Sequence, residues 1–283
     1  MALTKVLVTV KTYPLLSTKY IETVCTAGFK EDGSWIRIFP VPFRMLNIYE
    51  RFSKWQWIEV DLERNPSHDE RPESHHITSI DSLKILGSVD RHQGKADWDV
   101  RRMWMEKGKS IYTNMSELIR LAKNNTVSLA VLKPSDILDF VIEPKEDTST
   151  DKRKTIEEKL QAEISQLNVF DEQTWKENFR LAEQIPFKFS YKFKTDDGKI
   201  RKLMIEDWEI MMLYRNCLDR CGGDISIACR QVKEKYLDMA QKDLHLFLGT
   251  VFRNQRKNTP NPYVIIGVVP LPMKDKSQLS FDF

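Results

Sequence analysis

The segment of residues 11–26 carries the densest set of side chains able to do chemistry, with ammonium, hydroxyl, carboxylate and thiol groups close together. Glu22 is the leading candidate for a catalytic carboxylate, and Lys11 and Lys19 could hold a phosphate or tune that carboxylate. One carboxylate in an aromatic-lined pocket suffices to hydrolyse an N-glycosidic bond, because it can stabilise an oxocarbenium-like sugar or align a water. Asp207 is the second candidate, although acidic residues at helix starts are also favoured for structural reasons.

A strand predicted just after this segment could form a surface for nucleic acid. Trp35, Arg37 and Phe39 alternate along the chain and therefore share one strand face. An arginine between two rings could contact a phosphate and a base, or it could extend to solvent from an edge strand. We predict that Tyr13, Trp35, Arg37 and Arg44 contact nucleic acid.

A basic hairpin in the second half gives the clearest indication of a partner. Its aromatic residues alternate with its cations, so one face can be buried while the other meets solvent. The cations predicted to contact nucleic acid are Lys188, Lys192, Lys194, Lys199 and Arg201, together with Arg253, Arg256 and Lys257 of a later loop. Clustered cations neutralise phosphates, although lysines on strands also prevent edge pairing. Within the hairpin only Asp196 and Asp197 offset them.

The C-terminal residues resemble the short peptide by which bacterial replication and repair proteins bind the sliding clamp. Such peptides place a glutamine before apolar side chains that enter a hydrophobic pocket. The corresponding residues here are Gln278, Leu279, Phe281 and Phe283. The alternative interpretation is an ordinary terminal strand or a frayed tail.

Composition and missing motifs exclude several function classes. The chain has 283 residues, of which 41% are hydrophobic and 30% charged, so it can bury ordinary cores. It has no apolar run near the roughly 18 residues of a membrane span, and its four cysteines fit reduced thiols. We therefore predict a soluble cytoplasmic protein with no membrane partner.

No cofactor or metal is predicted. The chain lacks the glycine-rich loops that hold ATP or a nicotinamide dinucleotide. Cys217, Cys221 and Cys229 have no fourth ligand at zinc spacing, and the adjacent His75 and His76 lack the spacing of a zinc-protease helix. Buried thiols and surface imidazoles are the favoured interpretation.

The elements that would position these residues indicate an α+β protein with two domains. Residues 1–143 contain several short alternating strands and little helix, which predicts a small β-barrel-like domain. Residues 144–160 are charged and predict a linker. Residues 161–273 predict an antiparallel α+β sandwich, with helices at 206–220 and 224–240, and residues 274–283 a flexible tail. Asp97 is a predicted helix N-cap.

Two groups of motifs resemble an uncharacterised bacterial two-domain family. The first group is KTYP at 11–14, ETVCTAG at 22–28 and WIRIFP at 35–40; the second is DWE at 207–209, LYRN at 213–216, FLGT at 247–250 and PYVIIG at 262–267. This resemblance implies no established activity and suggests only an association with defence against foreign DNA. Lys19 and Glu22 are also loosely similar to the Lys-x-x-Glu element of ASCH domains, PUA-like barrels that bind RNA or bases. The Gly and Arg flanking that element are Ser17 and Val24 here.

We therefore predict a bacterial protein that acts on DNA, favoured over RNA, in repair or antiviral defence. A pocket in the first domain would accept an extruded or modified base and either cleave its glycosidic bond, as a DNA glycosylase-type hydrolase does, or only read it. Two alternatives remain open. One is a metal-dependent nuclease, which needs spaced carboxylates such as Glu59, Asp61 and Glu63. The other is a non-catalytic adaptor that joins DNA to the clamp.

Overall fold

The computed structural model describes residues 3–17, 21–90, 95–145, 153–158 and 181–273. Several predictions lie outside these residues. They concern Lys19, most of the linker, and the clamp-binding residues Gln278, Leu279, Phe281 and Phe283.

The described residues form thirteen β-strands. They are β1 (Leu3–Lys11), β2 (Leu15–Ser17), β3 (Ile21–Phe29), β4 (Trp35–Val41), β5 (Gln56–Glu63), β6 (Ser74–Ser88), β7 (Ile111–Tyr112), β8 (Leu129–Leu132), β9 (Asp136–Pro144), β10 (Phe187–Lys194), β11 (Ile200–Met204), β12 (Asp243–Thr250) and β13 (Tyr263–Leu271). The alternating runs seen in the sequence account for most of the long strands, because a strand buried on one face repeats every two residues.

The helices begin at residues that can cap them. The α-helices are α1 (Trp98–Glu106), α2 (Met115–Lys123), α3 (Trp208–Arg220), α4 (Ile225–Ala240) and α5 (Phe252–Arg256), with 3-10 turns at Phe43–Met45 and Ile48–Glu50. The side chains of Asp97, Asn114, Asp207 and Asp224 each accept a hydrogen bond from a backbone N–H of the first turn. The predicted N-cap at Asp97 is confirmed, as are both long helices of the second half.

The first half is built on a six-stranded sheet in the order β1-β5-β6-β4-β3-β2. β1 also pairs with β3. Following the hydrogen-bonded strand pairs from β1 through β5, β6, β4 and β3 therefore leads back to β1. Val6 and Val8 face a core inside this sheet with Ile36 and Ile38. The mixed α+β class predicted from the sequence is confirmed.

The second half contains a three-stranded sheet, β11-β10-β9, and a four-stranded sheet, β13-β12-β8-β7. β7, β8 and β9 come from residues that the sequence analysis assigned to the first domain. The boundary predicted near Glu143 separates β9 from β10, although these strands are hydrogen-bonded along their length. The charged linker therefore connects two strands of one sheet, a pairing that local composition cannot reveal.

A shared core holds the two halves together. Leu7 of β1 and Phe29 of β3 are buried in one cluster with Phe247 of β12 and Leu271 of β13. Where the two halves meet, Thr12 of the first half forms an isolated β-bridge with Asp207 of the second half. We call this region of contact between the halves the seam. Among the helices of the described residues, none is long and apolar enough to cross a membrane.

Candidate functional site

Glu22 is committed to a buried ion pair. Its side chain is 2% exposed, and Arg44 Nη1 donates to Glu22 Oε2 at 2.6 Å. The other carboxylate oxygen accepts a hydrogen bond from the backbone N–H of Ala182. These contacts tie β3 to a distant part of the chain and leave the carboxylate closed to a substrate. The prediction of Glu22 as the catalytic group is therefore corrected, and Arg44 pairs with it instead of lying free for nucleic acid.

Lys11 and Asp207 lie at the seam and have partners of their own. Lys11 Nζ donates to the carbonyl of Phe52 at 3.0 Å. Burial and the nearby charge of Lys54 lower the pKa of Lys11 to about 8. Both oxygens of the fully buried Asp207 accept from Lys54 Nζ, at 2.7 and 2.8 Å. Burial raises the pKa of Asp207 to about 6, although the charge of Lys54 opposes this shift.

The predicted Trp35–Arg37–Phe39 surface does not form. Arg37 is 2% exposed and donates to the hydroxyl of Ser128 at 2.8 Å and to its carbonyl at 3.1 Å. The Trp35 ring packs 5.3 Å from that of Phe247. The reason is that β4 lies between β3 and β6 and is covered by the second half. Of the three residues only Phe39 is open, with 39% of its surface exposed.

Tyr13 also serves the contact between the halves. Its hydroxyl donates to the carbonyl of Glu183 at 2.7 Å, and its ring lies 5.9 Å from that of Trp208. Burial raises the pKa of the Tyr13 phenol. These contacts place the ring beside α3 and not on a surface for bases.

Carboxylates of the neighbouring strand reduce the positive charge of the basic hairpin. Residues directly opposite on neighbouring strands share a face, so their charges interact. The opposed pairs of β10 and β9 are Lys188 with Glu143, Lys192 with Asp139, and Lys194 with Asp136. Glu143 and Asp139 form their salt bridges with Lys202 and Lys233, and Arg201 forms one of 2.6 Å with Asp197. The positive charge here is therefore smaller than predicted, because three carboxylates of β9 were not counted.

A cleft of about 500 Å³ is the best candidate site in the described residues. We call it the aromatic cleft, and it is bounded by Phe39 of β4, residues 65–76 and Phe252 of α5. Ser17, Thr23, Asp69, Arg71 and three imidazoles also line it. Rings, hydroxyls, a carboxylate and a guanidinium thus surround one space large enough for an organic ligand.

Arg71 organises the floor of the aromatic cleft. Its Nε and Nη2 donate to the two oxygens of Asp69 at 2.9 and 2.6 Å, while Nη1 donates to the carbonyl of Thr250 at 2.7 Å. Burial alone would raise the pKa of Asp69, but the hydrogen bonds and charge of Arg71 outweigh it and lower the pKa. A carboxylate that stays ionised therefore faces the cleft.

Two guanidinium groups lie near the Phe252 ring. The guanidinium carbon of Arg71 is 5.3 Å from the ring centroid, and that of Arg256 is 5.5 Å from it. Such contacts fix the ring and leave the cations close to any ligand that stacks on it. Arg253, Arg256 and Lys257 are exposed on and directly after α5, the helix that carries Phe252, and form no ion pair with another described residue. Of these predicted nucleic-acid contacts, Arg256 is the one whose guanidinium lies beside a ring of the cleft.

His75 offers a hydrogen-bond acceptor to the cleft. Its Nδ1 is 2.9 Å from the carbonyl of Glu73, and because a carbonyl only accepts, this nitrogen carries the proton. Burial lowers the pKa of His75 below its ordinary value of 6.5. The ring is therefore neutral at pH 7, with Nε2 free to accept a hydrogen bond.

The sequence analysis missed the main residues of this site. It named none of Asp69, Arg71 and Phe252. The one available signal was the polar composition of residues 65–73, directly before two histidines. Its partner in space is about 180 residues further along the chain, so no spacing could join them. No three His, Cys, Asp or Glu side chains of the described segments are grouped to hold a metal ion.

Comparisons with known proteins agree with the resemblance to a two-domain family of unknown activity. One family model, described as Domain of unknown function (DUF8758), matches residues 2–107, and a second, described as Domain of unknown function (DUF8757), matches residues 111–282. Neither is an ASCH or PUA-like model, so that looser similarity gains no support. No curated protein matches the chain. Since the second model covers more than half of the chain, the protein belongs to the family described as Domain of unknown function (DUF8757), with a DUF8758 domain before it.

Proposed function

We propose that the protein binds nucleic acid and takes an unstacked base into the aromatic cleft. The observation that carries this proposal is that two rings, Phe39 and Phe252, line the cleft and that exposed cations without ion pairs lie on and directly after the helix that carries Phe252. Base stacking on a ring contributes about 1–3 kcal/mol and tolerates any base. The cleft, at about 500 Å³, lies within the range of roughly 300–1,000 Å³ usual for small-ligand pockets.

Polar groups in the aromatic cleft would read the edge of the base. Asp69 and Nε2 of neutral His75 accept hydrogen bonds, while Arg71 donates them. Enzymes and readers that extrude a base recognise it through such contacts on its Watson–Crick edge. Arg253, Arg256 and Lys257 would hold the flanking phosphates, because phosphate contacts position a nucleic acid without reading its sequence.

Hydrolysis of the glycosidic bond is the second candidate function, and Asp69 favours it. A carboxylate held ionised can stabilise positive charge that develops on a sugar. The proposed catalytic group is thus Asp69 in place of Glu22. We keep DNA as the expected polymer, and the sliding clamp, the cytoplasmic location and a role in repair or defence remain predictions. We also propose that the returning strand pairs β1-β5-β6-β4-β3-β1 form a small barrel.

Binding is tested by fluorescence anisotropy with labelled single-stranded DNA, duplex DNA and RNA at low salt in EDTA. We expect single-stranded DNA to bind more tightly than duplex, because its bases need no unpairing. The affinity should fall steeply as salt is added. Absence of binding to all three polymers at low salt would refute the proposal.

Catalysis is tested on plain and base-modified oligonucleotides, with half of each reaction heated in alkali before a denaturing gel. Strand breaks that appear only after alkali would establish base excision. Asp69→Asn should then abolish these breaks, whereas Glu22→Gln should reduce them only as far as it lowers the folded fraction measured by circular dichroism. Intact strands from a protein that binds would leave the reader function alone.

A further inference from the structure

A second cavity, of about 230 Å³, lies at the seam on surfaces contributed by both halves. The first half supplies Thr9, Lys54 and Trp55, and the second half supplies Lys235 and the backbone around Gly267. We call this space the seam pocket. It shares no lining residue with the aromatic cleft.

Cations dominate the lining of the seam pocket. Lys54, Arg101, Lys235 and Lys242 line it, and Glu209 is the single carboxylate among the lining residues that the structure describes. Three of these cations already pair with carboxylates: Lys54 with the fully buried Asp207 and with Glu209, Arg101 with Asp90, and Lys242 with Asp238. Lys235 is exposed on α4 and forms no ion pair with any residue of the described segments. Its ammonium group is therefore the charge in the lining that is available to a ligand.

Arg101 is fixed in place beside this space. Its Nε and Nη2 donate to the two oxygens of Asp90 at 2.8 and 2.5 Å. The guanidinium carbon lies 4.8 Å from the Trp55 ring and 5.0 Å from the Trp98 ring. Both indoles line the pocket, so rigid apolar surface adjoins the cations.

Thr9 supplies an independent sign of a missing ligand. It is 2% exposed on β1, lines the seam pocket, and its Oγ1 has no hydrogen-bond partner among the described residues. Buried polar atoms in native proteins are nearly always paired, so each unpaired one needs a physical reason. A ligand oxygen in the pocket would accept this hydroxyl's hydrogen bond.

We propose that the seam pocket binds a small molecule carrying a phosphoryl group. The phosphoryl oxygens would lie at the ammonium group of Lys235 and would accept from the Thr9 hydroxyl, while the organic part rests on Trp55 and Trp98. A volume of about 230 Å³ corresponds to roughly eight waters at about 30 Å³ each, which suits a small ester. The site is independent of the proposed nucleic-acid function.

The test is isothermal titration of the full chain with inorganic phosphate and with glycerol phosphate, against sodium chloride at equal ionic strength. We expect saturable binding of one phosphate per chain and a rise in melting temperature, because the ligand contacts both halves. A response to chloride equal to that of phosphate would overturn the proposal.

Variants decide where the phosphate binds. Lys235→Ala and the nearly isosteric Thr9→Val should each weaken binding about tenfold, as expected for loss of one hydrogen bond to a charged group. Lys233→Ala is the matched control, since Lys233 lies on the same helix but pairs with Asp139 at 2.9 Å. Equal losses in Lys233→Ala and Lys235→Ala would overturn the assignment.

Two further measurements distinguish binding at the seam pocket from binding at the aromatic cleft. Phe39→Ala/Phe252→Ala should leave phosphate binding unchanged, and Lys235→Ala should leave binding of single-stranded DNA unchanged. An oligonucleotide with a 5′-phosphate should not compete with glycerol phosphate. If the 5′-phosphorylated oligonucleotide competes with glycerol phosphate and the unphosphorylated one does not, the ligand is the end of a nucleic acid and not a small ester. That result would overturn the proposal.

Discussion

The outer face of the β9–β10–β11 sheet and the rim of the aromatic cleft are both rich in cations, but their surroundings differ. On the sheet, Lys188, Lys192 and Lys194 each stand opposite a carboxylate of β9. At the cleft, Arg253 and Arg256 have no such partner among the described residues. Positive charge along the sequence therefore marks a binding surface only where the fold brings no acidic strand beside it.

The aromatic residues of the two regions differ in the same way. Phe189, Tyr191 and Phe193 of the hairpin are completely buried in the core of the second half. Phe39 and Phe252 line an open cleft. A ring that already packs in a core cannot stack on a base, so of these two regions it is the cleft that has accessible rings.

The largest expected effect comes from removing both rings of the cleft. Phe39→Ala/Phe252→Ala should weaken binding of single-stranded DNA roughly 10- to 100-fold, because stacking on one base contributes about 1–3 kcal/mol. Anisotropy titrations measure this loss. Tyr49→Ala is the matched control, since that ring is 91% exposed and lies outside the cleft. Unchanged affinity in the double variant would remove the aromatic cleft as the base site.

The second-largest expected effect is on the salt dependence of DNA binding, and it distinguishes the cations near the cleft from those of the hairpin. Replacing Arg253, Arg256 and Lys257 with alanine should lower the slope of log K against log salt concentration by up to about 2, since each phosphate contact on a single strand contributes about 0.7. Replacing Lys188, Lys192 and Lys194 with alanine should leave the slope unchanged. The comparison fails if the hairpin variant shows the larger change.

A third variant should turn the hairpin sheet into a binding surface. Asp136→Asn, Asp139→Asn and Glu143→Gln together remove the carboxylates opposite the lysines. In the background of Phe39→Ala/Phe252→Ala, this variant should gain severalfold in affinity for single-stranded DNA at low salt, because unmatched lysines then attract phosphates. If anisotropy detects no gain in affinity, the carboxylates opposite the lysines are not what keeps this sheet from binding DNA.

The smallest expected effect is a pH dependence of the cleft. Burial lowers the pKa of His75 below 6.5, so the ring is neutral at pH 7 and gains a proton only as the pH falls below that value. The proton adds positive charge beside the ligand, so DNA binding should strengthen in this more acidic range. Titrations of wild type and His75→Gln from pH 7.5 to 5 measure the difference. Parallel curves would show that His75 does not face the bound DNA.

The seam shows why catalytic candidates could not be ranked from sequence. Glu22, Lys11 and Asp207 were selected for their chemistry. Glu22 and Asp207 prove to be buried and Lys11 half-buried, each against a specific partner. Burial of this kind is invisible in a local pattern, because the partners Arg44, Phe52 and Lys54 are brought in by turns and by packing of the halves. Asp69 became a candidate only once Arg71 and Phe252 were seen beside it.

The sequence by itself determined the local elements. Alternation with period two located strands such as β4 and β10, and the capping residue Asp97 located the start of α1, because strand faces and helix ends depend on neighbours within a few residues. The motifs also indicated the two-domain family. The mixed α+β class follows from these elements alone.

Only the tertiary structure decided which of these elements meet. β9 joined β10 across the linker, Arg37 became a buried tie to Ser128, and Arg71 reached Thr250, 179 residues away. These contacts depend on the packing of surfaces from both halves, and their energies are set by burial and by the charges that packing brings together. A sequence pattern limited to a few residues carries none of that information, so both candidate pockets emerged only from the fold.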